Sequence, residues 1–96
     1  MNKEEQILSY LYDKIFLDVI NSKTASQKAK NIINKTIMCL KQLPAKSMIQ
    51  YVWNATYEED NNGERADNIL KNEGFITFQD IIYDFNKKFD DDFLNI

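Results

Sequence analysis

The chain has 96 residues, enough for one domain, and 44% of them are hydrophobic, so a core can be buried. Two Gly and one Pro argue against a turn-rich β fold, and the formal net charge is −3. The absence of His and the single Cys exclude histidine-based acid–base catalysis, Cys/His zinc sites and a disulfide framework. We therefore expect a protein that is not an enzyme and that holds no cofactor and no metal.

Apolar residues at helical spacing predict an all-α fold, a compact bundle of about five helices within a single domain over residues 1–96. The predicted helices cover residues 3–21, 25–43, 44–58, 64–73 and 78–90. A capping box over residues 24–27 opens the second helix, and Pro44 suits the first turn of the third. The third helix has the widest apolar surface, including Trp53 and Tyr57, so we expect it to be the most buried. Gly74 and Thr77 are the expected caps between the last two helices.

Charge is segregated along the chain. Residues 19–57 contain six Lys and no acid, whereas residues 58–96 contain eleven acids and four bases. A lysine face is predicted on the second helix, formed by Lys28, Lys30, Lys35 and Lys41. Two interpretations stay open, because this face could bind phosphates or an acidic protein surface, or could pair with the acidic half of the same chain.

An acidic surface is predicted around the loop near residue 60 and is formed by Glu58, Glu59, Asp60, Glu64 and Asp67. It could imitate nucleic-acid phosphates towards a basic partner, or its members could be ordinary acids near helix ends. A calcium loop with Gly63 at its sixth position would need an acid at the twelfth, where Ile69 stands, so no metal site is predicted. Tyr10 and Tyr51 fall outside the main apolar faces, which makes them the candidate aromatic interface residues.

Residues 65–71, followed by Gly74, Thr77 and Asp80, resemble the first helical half of the C-terminal domain found in the RNA polymerase α chain. The resemblance covers about residues 63–82. It implies contacts with DNA at the two matching positions, Arg65 and Asn68. Arg65 is also the only Arg in the chain, and Arg is well suited to bidentate contacts with phosphates and base edges.

Smallness, the lack of reactive groups and the segregated charges together favour a non-catalytic interaction protein. We expect it to bind a larger protein or ribonucleoprotein through charge-complementary helical faces and to inhibit or modulate it. A phage or plasmid inhibitor, an anti-CRISPR-like factor, an antitoxin and an immunity protein all fit this expectation. The alternative is a nucleic-acid-binding transcriptional regulator that uses Arg65, Asn68 and the lysine face. A homodimer that pairs the basic and acidic segments of two copies is a third hypothesis.

The expected location is the cytoplasm of a low-GC bacterium, or of the host if the protein is phage-encoded. No segment approaches the roughly 18 consecutive apolar residues that span a bilayer, and the polar N-terminus with Glu4 and Glu5 is not a signal peptide. A lone Cys39 within an apolar helical pattern fits a reducing compartment. The many Lys, Asn and Ile residues indicate an AT-rich genome.

Overall fold

The computed structural model describes residues 2–88 and the side chains of residues 2–85. In this part of the chain five helices form and no strand does, which confirms the predicted all-α bundle. The helices are α1 (Lys3–Leu11, continued by Tyr12–Phe16 and Leu17–Ile20), α2 (Gln27–Leu40), α3 (Ala45–Ala55), α4 (Ala66–Asn72) and α5 (Phe78–Lys88). Their ends differ from the predicted ends by three residues or fewer. The predicted end of the fifth helix at residue 90 lies outside the described residues.

Helix α1 changes its winding in the middle, because Tyr12–Phe16 forms a π-helical turn. A π turn contains more residues than an α turn, so it rotates the following residues backwards around the helix axis. Without that rotation Phe16 would lie on the opposite side from Ile7. With it, Ile7, Leu11, Phe16 and Val19 are all buried, at 1% exposure or less.

The core is one cluster to which every helix contributes. Its largest fully buried side chains are Phe16, Phe78, Ile7, Leu11, Ile15, Ile33, Leu40, Met48, Leu70, Ile81 and Val19. At about 25 cal/mol per Å² of apolar surface removed from water, such burial is the main term that stabilises the bundle. Helix α3 packs against α1, α2 and α5, so its position in the bundle is central, as predicted.

Carboxylates from distant parts of the chain bind the N-termini of three helices. Asp67 accepts hydrogen bonds from the backbone N–H groups of Phe78 (2.8 Å) and Gln79 (3.1 Å) at the start of α5. Glu4 accepts one from Ala45 N at the start of α3, at 3.3 Å. The first N–H groups of a helix have no partner within the helix, so these acids satisfy donors that would otherwise lack one.

A carboxylate from a distant part of the chain also binds the start of α2. The capping residues there differ from the predicted capping box. The N-cap is Ser26 and not Thr24, and its hydroxyl accepts from Ala29 N at 3.1 Å. The reciprocal carboxylate comes from Glu73, the C-cap residue of α4, which accepts from Ser26 N (2.7 Å) and from Ser26 Oγ. The capping box at α2 therefore pairs Ser26 with a residue of α4, 47 positions away, and a local sequence pattern cannot specify such a contact.

The helix corner between α4 and α5 forms as predicted. Gly74 has a φ of +85°, the left-handed conformation that ends α4, and Thr77 with Asp80 closes a capping box at α5. These contacts fix where α5 begins, and α5 forms one wall of the groove described below.

Candidate functional site

A groove opens between the C-terminal half of α3 and the first turns of α5. It has a volume of about 210 Å³ and is lined by Trp53, Thr56, Tyr57, Gln79, Ile82 and Tyr83. Three of these side chains are large aromatics that remain in solvent, with Trp53 49%, Tyr57 60% and Tyr83 63% exposed. Thr56 and Ile82 are buried and form the floor. We name this the aromatic groove.

The positions of these aromatics follow from the register of the two helices. On α3 the core-facing residues are Met48, Val52 and Ala55, so the next face of the helix carries Trp53 outward. On α5 Ile81 and Phe85 face the core, which leaves Tyr83 on the outer side. The sequence-based expectation that Trp53 and Tyr57 belong to the most buried helix surface was therefore wrong for these two side chains.

Arg65 contacts two of the residues that line the aromatic groove. Its guanidinium carbon lies 5.0 Å from the centroid of the Tyr57 ring, a cation–π contact, and its Nη2 donates to the carbonyl of Thr56 at 3.1 Å. Its Nε is buried and has no hydrogen-bond partner among residues 2–88. Arg65 is thus held by the protein itself, which reduces its availability for the nucleic-acid contact that the resemblance implied. Asn68, the second residue of that prediction, is exposed on α4.

The two tyrosines predicted as interface anchors are not the exposed ones. Tyr10 is only 6% exposed and packs edge-to-face on Phe85, with ring centroids 5.6 Å apart. Burial also raises the pKa of the Tyr10 phenol. Tyr51 is half-buried against the core. Its burial raises the pKa of its phenol most, and a hydrogen bond with Cys39 raises it further. Tyr10 is a core residue, which corrects its prediction.

The predicted basic and acidic surfaces meet each other across a cleft of about 400 Å³ between α2 and the loop before α4. Lys35 Nζ lies 3.3 Å from Glu58 Oε1, and Lys28 Nζ lies 3.8 Å from Asp60 Oδ2. Lys30 and Lys41 have no acidic partner within the described part of the chain. The lysine face and the acidic loop therefore neutralise each other in part.

The acidic residues of that prediction have different environments. Asp60 organises the loop, since its Oδ1 accepts from Asn62 N (2.8 Å) and Glu64 N (2.9 Å), and these two bonds lower the pKa of the Asp60 carboxyl. Glu58 and Glu59 are exposed, and Glu64 is half-buried. Asp67 is 9% exposed and binds the start of α5, so it does not belong to an acidic surface.

Burial raises the pKa of the Asp67 carboxyl, although its bonds to Phe78 N and Gln79 N and the nearby Arg65 charge act in the opposite direction. Across residues 2–88 no group of three or more His, Cys, Asp or Glu side chains is placed to hold a metal ion. Nor does this part of the chain contain a helix with the length and apolar character needed to cross a bilayer.

Sequence reasoning missed the aromatic groove, although one signal for it was present. The apolar residues of α3 cover more of its circumference than neighbouring helices can bury, so some of them must stay in solvent.

A comparison of the chain with protein-family models, curated proteins and solved structures finds no match. The resemblance of residues 63–82 to the C-terminal domain of the RNA polymerase α chain stays a prediction.

Proposed function

We propose that this protein is a non-catalytic binding protein that docks a segment of a larger protein in the aromatic groove and thereby inhibits or modulates that partner. The observation that carries the proposal is the convergence of Trp53, Tyr57 and Tyr83 on one groove while all three remain exposed. An inhibitor, an anti-CRISPR-like factor, an antitoxin and an immunity protein would all use such a surface.

Energetics support binding over stability as the role of these side chains. Exposed aromatics gain little from folding, because the apolar area that they keep in water contributes nothing to the core. When a partner covers them, the same area becomes favourable, and Trp and Tyr dominate the residues whose truncation weakens protein complexes most. The groove has a floor of buried side chains, so it is formed before a partner arrives. This protein therefore loses little conformational entropy when the partner binds.

The groove, and not the charged faces, is then the main binding surface. Lys28 and Lys35 already pair with acids of the loop, so these acids weaken the attraction that the two lysines exert on a partner. No acid within residues 2–88 forms an ion pair with Lys30 or Lys41, so these two lysines can attract an acidic partner electrostatically. The nucleic-acid alternative would rest on these two lysines and Asn68, because Arg65 is bound to Thr56 and Tyr57.

The test is selection of a random peptide library displayed on phage against the purified protein. Counter-selection uses a Trp53→Ala/Tyr83→Ala variant whose helical circular dichroism matches the parent. Selected peptides should bind the parent and lose binding to this variant, whereas Met38→Ala should leave binding unchanged. Met38 is the matched control, since it is a large exposed apolar residue (67%) on α2 outside the groove. Peptides that bind both proteins equally would contradict the proposal.

A further inference from the structure

We infer that the outer face of α2 binds an acidic segment of a partner protein and that an apolar residue of this segment covers Met38. The outer face consists of Lys30, Asn34, Met38 and Lys41, the C-cap residue of α2. At the turn of an α-helix these four side chains fall within an arc of about 80° around the axis. None of them lines the aromatic groove, so this inference does not depend on the proposed function.

The register of α2 turns this face away from the core. The buried residues of α2 lie on its other side and are Ala29, Ile33, Thr36, Ile37 and Leu40. Asn34, Met38 and Lys41 are exposed, and Lys30 is half-buried. The outer face is therefore accessible to a partner.

The lysines of α2 divide into a paired and an unpaired set. Lys28 and Lys35 form ion pairs with acids of the loop before α4. Lys30 and Lys41 form none within residues 2–88, and neither α2 nor α3 contains an acid that could compensate them. The two unpaired lysines lie about 17 Å apart along the helix axis, so carboxylates of one short segment can reach both. Their charge is complementary to an acidic partner.

Met38 lies between the two unpaired lysines and favours a protein as the partner. Its side chain is 67% exposed, more than any other large apolar side chain among the described residues. An apolar centre with a polar rim is typical of protein–protein interfaces, and the flexible thioether of Met adapts to apolar groups of many shapes. The phosphates of a nucleic acid offer Met38 no apolar contact, and the net charge of −3 repels a long polyanion.

The experiment selects a random peptide library displayed on phage against the parent protein, with counter-selection on Lys30→Gln/Met38→Ser/Lys41→Gln. We expect the selected peptides to be acidic and to contain a large apolar residue. The affinity of a synthetic copy, measured by fluorescence polarisation, should fall about tenfold for Lys30→Gln/Lys41→Gln. It should fall about fivefold for Met38→Ser, and it should also fall as salt is added.

Two control variants test whether the peptide occupies this face. Lys28→Gln/Lys35→Gln removes the same charge from the same helix but from the paired lysines, so affinity should fall less than about threefold. Trp53→Ala/Tyr83→Ala changes only the aromatic groove and should bind the peptide as the parent does. Loss of binding to this groove variant would show that the peptide binds in the groove, and would overturn the inference.

Other outcomes would also overturn it. These are selected peptides without acids, no peptide that distinguishes the parent from the counter-selection variant, and equal losses from the paired and the unpaired lysines. A random DNA duplex that binds the parent more tightly than the peptide, and that depends on Lys30 and Lys41, would assign the face to phosphates instead. Peptides that bind the aromatic groove would be unaffected by any of these results, so the proposed function would stand.

Discussion

The region around α4 and the aromatic groove use side chains in opposite ways. Around α4, the charged residues Arg65, Asp67 and Glu73 turn inward and bind backbone atoms or a neighbouring ring. In the groove, two neighbouring large aromatics, Trp53 and Tyr83, turn outward. Charge in this sequence therefore does not ensure exposure, and aromatic character does not mark the core. The contacts that each side chain makes decide which role it has.

Among the charged residues around α4, Asp67 should contribute most to the free energy of unfolding. Asp67→Ala removes both acceptors of Phe78 N and Gln79 N and leaves buried donors without partners. The free energy of unfolding should fall by about 2–3 kcal/mol, measured by urea denaturation. Asp67→Asn is the matched control, because it keeps one acceptor oxygen and should lose less. An Asp67→Ala protein as stable as the parent would show that the carboxylate does not anchor α5.

Glu73 should have the next largest effect, and its effect should depend on pH. Glu73→Ala removes the carboxylate that binds Ser26 N and Ser26 Oγ, at a cost of about 1 kcal/mol near neutral pH. The hydrogen bonds from Ser26 lower the pKa of Glu73 from its ordinary value of 4.5. A lowered pKa means that the stabilisation is complete above 4.5 and is lost as the pH falls through the folded-state value.

The measurement is urea denaturation of the parent and of Glu73→Ala across the acidic range. The difference between the two proteins should shrink as the pH falls, because protonated Glu73 no longer offers a charged acceptor. Glu73→Gln keeps one neutral acceptor, so it should show a smaller difference that changes little with pH. A difference between parent and Glu73→Ala that stays constant down to strongly acidic pH would contradict the assignment.

The smallest effect is expected at the ion pairs between α2 and the acidic loop. Lys35 and Glu58 are 62% and 47% exposed, so solvent screens their attraction. Lys35→Gln should change the free energy of unfolding by less than about 0.5 kcal/mol. Lys41→Gln, which removes a lysine without an acidic partner among the described residues, is the control. A loss of several kcal/mol from Lys35→Gln would show that charge pairing is a main term in this fold.

Much of the fold could be predicted from the sequence, because helical periodicity and local caps are encoded within a few residues. Gly74 and Thr77 illustrate this, since each acts through its own turn. The contact of Glu73 with Ser26 joins residues 47 positions apart and has no local pattern. The burial of Tyr10 was missed because its face of α1 is covered by Phe85 on α5, a long-range contact that no spacing rule contains.

The candidate site was harder to predict for the same reason. Segregated charge along the chain left open whether the basic and acidic segments face a partner or each other, and folding brings Lys28 and Lys35 close to Asp60 and Glu58. The exposure of Trp53 depends on how far α5 covers α3, which is decided by packing and not by the composition of either helix.

In the proposed function the groove aromatics bind a partner and contribute little to the stability of the core. Its most direct test measures stability and peptide binding of Trp53→Ala in parallel, with a groove-selected peptide as the probe. We expect Trp53→Ala to lose binding while its free energy of unfolding changes by less than about 1 kcal/mol. Phe78→Ala, at a fully buried position, should instead cost about 3–5 kcal/mol. A Trp53→Ala protein that binds the peptide normally but unfolds as easily as Phe78→Ala would show that Trp53 serves the core and not a partner.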